Sequence, residues 1–267
     1  MVAESVDSGR ERGDTDTFGG ALRYPMRGED ARDGVAFVTA MALAVALTGR
    51  YAAAVFPGVA ALAFLALAGV AAVAWLGYLG RILTGTVDAD LASGDGVLVA
   101  TVDAGRMPAV GSPRELIATG VRVALASTPY VLAPFVLLYV TILGLGNLSA
   151  DAVSGGGGIA LLAGGTISFL LALAFVYVLP AALCELAATG SVRRALAPWL
   201  FRDVLAHAAY LYAWTAAFSL GILALAAYGQ VVSGAGILGL VAALAAGYVS
   251  AIAARLSGMG YRRARRR

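Results

Sequence analysis

The sequence predicts an all-α fold: a polytopic integral membrane bundle of about six transmembrane helices with added interfacial helices. Three observations carry this. The 267 residues are 60% hydrophobic and 13% charged, against about 45–50% and 25% in an ordinary soluble domain. Apolar runs recur at the length a bilayer requires, about 20 residues at a 1.5 Å helical rise. All 19 basic residues are arginine, with no lysine, and they gather at run ends and at the C-terminus. The clearest run is Ile159–Ala187, which carries one proline, Pro180, and one ionisable group, Glu185, near its far end.

Residues 1–21 read as a disordered acidic tail (Glu4, Asp7, Glu11, Asp14, Asp16), too poor in apolar groups to fold. They lack the apolar core of a signal peptide. A membrane-embedded domain follows over 22–260. Leu22–Asp33 is juxtamembrane, with a turn at Tyr24-Pro25 and with Glu29-Asp30 at a helix start, where negative charge is favoured. Gly34–Gly49 and Tyr51–Leu79 are two apolar runs, expected as a hairpin turning at Thr48-Gly49-Arg50, with a single span plus a re-entrant piece as the alternative. A polar loop over 84–111 contains a strand-like alternation at Gly96–Val102.

Ser112-Pro113-Arg114-Glu115 matches a capping box with proline at the first helical position. The third span, Val121–Leu145, contains Pro129 and Pro134. These free the carbonyls of Leu125 and Tyr130, and Ser127 and Thr128 are candidates to re-satisfy them. Asn147–Gly158 is a turn ending in four glycines, before the fourth span. Ser191 caps an interfacial helix, 192–205, with Val192, Leu196, Trp199 and Val204 to one side and Arg193, Arg194, Arg202 and Asp203 to the other. The fifth span is Ala208–Tyr228. The sixth, Ile237–Ala254, has a small-residue stripe at Gly239, Ala243, Gly247 and Ala251 that lets a neighbouring helix approach. Residues 261–267 form a basic tail.

With six spans, every arginine except Arg50 falls on the side of the termini. The positive-inside rule then makes both termini cytoplasmic in the cell membrane. Arg50 reads as a turn residue on the outer side. Acidic loops without lysine point to a halophilic source.

Several short stretches share a further pattern. They are Tyr24-Pro25-Met26-Arg27-Gly28-Glu29-Asp30-Ala31, Gly77-Tyr78-Leu79-Gly80-Arg81-Ile82-Leu83, Glu115-Leu116 with Gly120, Tyr177-Val178-Leu179-Pro180-Ala181-Ala182, Tyr212-Ala213-Trp214, and Ala254-Arg255-Leu256 with Gly260-Tyr261. In this order they resemble domain of unknown function 4013, a multi-pass membrane family found mainly in halophilic archaea. Two features depart from it: Ser112-Pro113 stands where the family has a proline-rich acidic stretch ending in tryptophan, and the segment between the first two motifs is longer. The resemblance implies a membrane protein and carries over no activity or catalytic residue.

Candidate chemistry is sparse. Glu185 could serve a proton or cation path, or, lying a few residues before Ser191-Val192-Arg193, could reach the interface and pair with an arginine; a pair with Arg122, near the start of span three, would be simple glue inside the bundle. Pro129, Pro134 and Pro180 could mark broken helices around a transport site or static kinks. His207, four residues after Asp203, could share a helix face with it, but one histidine and one cysteine cannot supply a metal site. The glycine run lacks the Lys-[Ser/Thr] of a phosphate loop. No catalytic, cofactor or metal residue is therefore expected. The expected partners are the lipid bilayer, with its anionic headgroups touching the C-terminal arginines, and another copy or another membrane protein, met through faces such as the Gly239–Ala251 stripe. Nucleic acid is not expected, because the arginines form no folded basic face with interleaved aromatics. The functional expectation is a non-catalytic membrane module. The alternatives are a small-solute or ion transporter, and an intramembrane enzyme, which would need a converging pair of titratable groups.

Overall fold

The computed structural model describes residues 18–87, 106–146, 156–233 and 237–266. The strand-like stretch at Gly96–Val102 and residues 1–17 of the expected tail lie outside these. In chain order the elements are α1 (Phe18–Arg23), a 3-10 turn (Tyr24–Met26), α2 (Ala31–Val55), α3 (Val59–Val87), α4 (Pro113–Gly146) and α5 (Gly156–Thr189). Then come α6 (Val192–Ala195), a second 3-10 turn (Pro198–Phe201), α7 (Arg202–Leu205), α8 (Ala208–Ser233) and α9 (Ile237–Arg265). Six of these, α2, α3, α4, α5, α8 and α9, are long and apolar enough to cross a membrane. No strand occurs among the described residues.

The first two spans are full helices with no re-entrant piece, but the turn is not at Thr48-Gly49-Arg50. Helix α2 runs through those residues to Val55, so Arg50 is an exposed helical residue. Thr48 keeps its hydroxyl on the helix by donating to the Ala44 carbonyl, at 2.6 Å. The chain reverses at Phe56-Pro57-Gly58, where Pro57 has no N–H to continue a helix and Phe56 is extended. Four residues of the expected tail, Phe18–Ala21, lie in α1, and Ala21 is fully buried.

Helix α4 starts where the capping pattern places it. The Glu115 N–H donates to Ser112 Oγ at 3.4 Å, but the Glu115 carboxylate pairs with Arg81 at 2.8 Å instead of closing the box. Helix α4 passes through Pro129 and Pro134. Ser127 and Thr128 do not reach the carbonyls those prolines free. They donate one turn back, to Val123 at 2.7 Å and Ala124 at 2.8 Å. Gly156–Gly158 belong to the first turn of α5 and not to a loop.

The six spans form the hairpins α2–α3, α4–α5 and α8–α9, and α9 threads between α2, α3, α5 and α8. The stripe expected to bind another molecule is occupied within the chain. Gly239 and Ala251 are buried, Ala243 packs on Ala46 of α2, and a Cβ on Gly247 would lie 3.0 Å from the Thr39 backbone nitrogen. A tighter crossing joins α3 to α4. Gly77 lies on the Leu116 carbonyl, and Gly120 lies on the Val73 carbonyl. Small residues allow this backbone-to-backbone approach, which provides dispersion contact where no hydrophobic drive acts between helices in lipid.

Candidate functional site

Every motif of the family-like pattern has residues that meet toward one end of the bundle, the end that carries all described arginines but Arg50; Tyr212-Ala213-Trp214 joins the others through Ala213 against Gly260 and Trp214 against Tyr177. Tyrosines from the spans tie down the irregular segments there. Tyr78 of α3 donates to the Pro108 carbonyl at 2.7 Å. Arg81, one turn on, donates to the Val110 carbonyl at 2.6 Å and pairs with Glu115. Gly111 turns there with φ +69°, and its missing Cβ leaves room for the Arg81 guanidinium. The Met107 N–H donates to the Arg27 carbonyl at 3.1 Å. Tyr24 is buried under Arg255, whose guanidinium lies 5.0 Å from the ring centroid. Burial pushes the Tyr24 phenol up to about 12, with the Arg255 charge pulling the other way, so the ring is neutral under ordinary conditions. Arg255 also donates to Thr86 Oγ1 at 3.1 Å, and Arg262 to the Thr86 carbonyl at 3.4 Å.

Glu185 is the one buried carboxylate among the described residues, 2% exposed. Its partner is not Arg122, which is exposed on α4. The Arg194 Nε lies 3.1 Å from Oε1 and the Arg265 Nη1 3.4 Å from Oε2. The Tyr261 hydroxyl donates to Oε2 and accepts from Arg265 Nη1 at 3.0 Å. The C-terminal arginines are therefore not a detached tail. Helix α9 continues to Arg265, with Tyr261 fully buried and Arg262 nearly so. Glu185 and Tyr261 form the close titratable pair an enzyme would require, but two guanidinium groups hold that carboxylate. Cys184 beside it is fully buried. Among the described residues no cluster of three or more metal-ligating side chains occurs.

Pro180 is a braced gap in the hydrogen-bond ladder of α5. Its missing N–H leaves the Val176 carbonyl without its helical donor, and the Trp214 indole of α8 supplies one at 3.3 Å. Tyr210 donates to the adjacent Tyr177 carbonyl at 2.8 Å. The Tyr177 ring meets both Tyr210 and Trp214 edge-on. Trp214→Phe is expected to cost about 1–2 kcal/mol by orphaning that carbonyl. Adding Pro180→Ala should recover most of this loss by returning the helical donor. Denaturant unfolding of the four proteins in micelles measures both terms.

Segment 192–205 is not one helix. Pro198 divides it into α6, a 3-10 turn and α7. Ser191 does cap α6, accepting from the Arg194 N–H at 3.4 Å. Val204 turns into the core, whereas Leu196, Trp199 and Leu200 face outward. Two tyrosines hold the segment, Tyr130 through the Ala195 carbonyl and Tyr177 through that of Leu205. His207 lies beyond α7, where its Nδ1 accepts from the Ala209 N–H at 3.1 Å and caps α8. Asp203 lies 3.7 Å from Arg202 instead.

No curated protein and no solved structure matches this chain. The model of the family described as protein of unknown function (DUF4013) matches residues 61–232. That stretch holds α3, α4, α5, the divided segment and nearly all of α8. It is well over half of the chain, which therefore belongs to DUF4013, a family of proteins of unknown function.

Proposed function

We propose that this protein is a non-catalytic membrane module that assembles with itself or with another membrane protein. The observation carrying this reading is the closure of Glu185. The buried acid that would serve a proton or cation path is held at one end of the bundle by Arg194, Arg265 and Tyr261. The helix at Pro180 is likewise held by Trp214 and Tyr210. Because the Gly239–Ala251 stripe is used internally, assembly takes place through other lipid-facing surfaces. The arginine distribution supports cytoplasmic placement of this end, and hence of both termini, in the cell membrane. Absence of lysine and the acidic residues Asp88, Asp90, Asp95 and Asp103 support a halophilic archaeal source.

The lone thiol tests the closed bundle directly. Cys184 in oriented vesicles is expected to resist a membrane-impermeant maleimide from both faces, and to react fully after denaturation. Labelling from the face opposite the arginines would mean that an aqueous path reaches α5, and transport would replace the module reading. Light scattering of the solubilised protein tests assembly. A monomer at all concentrations, with no membrane protein recovered on cross-linking in the native membrane, would refute that part.

A further inference from the structure

Two half-exposed arginines flank a carboxylate that is itself buried. The side chains of Arg194 and Arg265 are 50% and 41% exposed, against 3% for Glu185. They come from different parts of the chain, α6 and the last turn of α9. Glu185 engages one nitrogen of each, Nε of Arg194 at Oε1 and Nη1 of Arg265 at Oε2, and so holds both guanidinium groups on one carboxylate. A guanidinium offers five N–H groups. A single carboxylate neither saturates two of them nor balances their charge. The cluster keeps one net positive charge and presents planar donors outward, and Arg193 is exposed next to Arg194.

The depth of this pair is marked by its neighbours. Trp199, 69% exposed, and Leu200, 55% exposed, follow Arg194 in the same divided segment. Exposed tryptophan beside arginine at the end of membrane helices lies at the headgroup level. Paired guanidinium groups bind phosphate oxygens through short, charge-assisted and often bidentate hydrogen bonds. We propose that Arg194 and Arg265, pre-positioned by Glu185, form a binding site for the phosphate of an anionic lipid headgroup. The buried carboxylate acts as the organiser: it holds two like charges together before the ligand arrives, which lowers the ordering cost of binding. The site depends on the membrane bundle alone and holds whether or not the module self-associates.

The test uses full-length protein in non-ionic detergent, titrated with phosphatidylglycerol or phosphatidylcholine, with lipid retention read by native mass spectrometry. Wild type should retain phosphatidylglycerol in preference to phosphatidylcholine. Arg194→Ala and Arg265→Ala should each weaken that retention about fivefold, while Arg32→Ala and Arg114→Ala, at exposed arginines elsewhere on the same end, should leave it within twofold. Arg194→Lys guards against a folding artefact. It keeps the charge on Glu185 but loses the planar fork, so it should fold as wild type and still lose part of the retention. Inorganic phosphate is the second arm. Stabilisation of lipid-free protein by phosphate alone, lost in the same variants, would assign the site to a free phosphate and overturn the headgroup reading. Equal retention of both lipids, or equal loss from all four alanine variants, would overturn the site itself.

Discussion

Replacing both Arg194 and Arg265 with alanine is expected to destabilise the protein by about 3–5 kcal/mol, the usual cost of leaving a buried charge without its partners. Glu185→Gln is expected to cost less, about 1–2 kcal/mol. The asymmetry comes from where each charge can go. Glu185 is buried to 3% side-chain exposure, whereas the arginines are about half exposed and can turn outward to solvent or headgroups. Glutamine also keeps an oxygen that can accept from the Tyr261 hydroxyl. Adding Glu185→Gln to the double variant should therefore restore most of the lost stability, because the uncompensated charge is gone. Reversible unfolding in micelles, followed through the four corners of this cycle, measures the coupling. A double variant no less stable than Glu185→Gln would show that the arginines are ornaments of the surface and that the carboxylate is satisfied otherwise.

The same cluster shows where sequence reasoning succeeds and where it stops. The six spans were legible because length and hydropathy are local properties, and a bilayer imposes them on each helix separately. The expectation that Glu185 pairs with an arginine at an interface was also within reach, since a carboxylate so near a span end has few alternatives. Arg194 directly follows the Ser191-Val192-Arg193 stretch expected to supply an arginine, but the second partner was not legible. Arg122 looked suitable because it starts a neighbouring span, but the partner Arg265 lies 80 positions away. It is placed by α9 threading between α3, α5 and α8, a fact of tertiary packing. The basic C-terminus reads as a tail at the lipid headgroups, yet it continues a helix that buries Tyr261.

Other misreadings have local causes. Thr48-Gly49-Arg50 has turn composition, but in a membrane the helix is the cheapest way to satisfy the backbone, so only Pro57, which lacks a donor, ends it. Pro198 carried the same signal for segment 192–205 and divides it into three short turns. The small-residue stripe on α9 was legible as a close-packing surface, but sequence periodicity cannot say whether the partner is another chain or, as here, α2.

Gly120→Ala is expected to cost at least about 3 kcal/mol, the upper range for forcing one methyl into a packed core. Its Cβ would run into the Val73 carbonyl of α3, a backbone atom that no rotamer change can move aside. The helices would have to separate along the crossing that also carries Gly77 on the Leu116 carbonyl and Gly80 on Thr119 and Val123. Gly77→Ala is expected to cost about as much, for the reciprocal reason. The two together should cost clearly less than their sum, because one separation of α3 from α4 accommodates both methyls. Two glycines of the same helices act as controls. Gly69 of α3 and Gly144 of α4 would meet nothing within 4 Å, so alanine there should be neutral or stabilise by up to about 1 kcal/mol through helix propensity. Thermal or denaturant unfolding of the single and double variants in micelles gives the answer. Equal, small effects at all four positions would mean that α3 and α4 do not cross backbone to backbone. The joint between them, which also sets Tyr78 and Arg81 beneath the loop they hold, would then need another explanation.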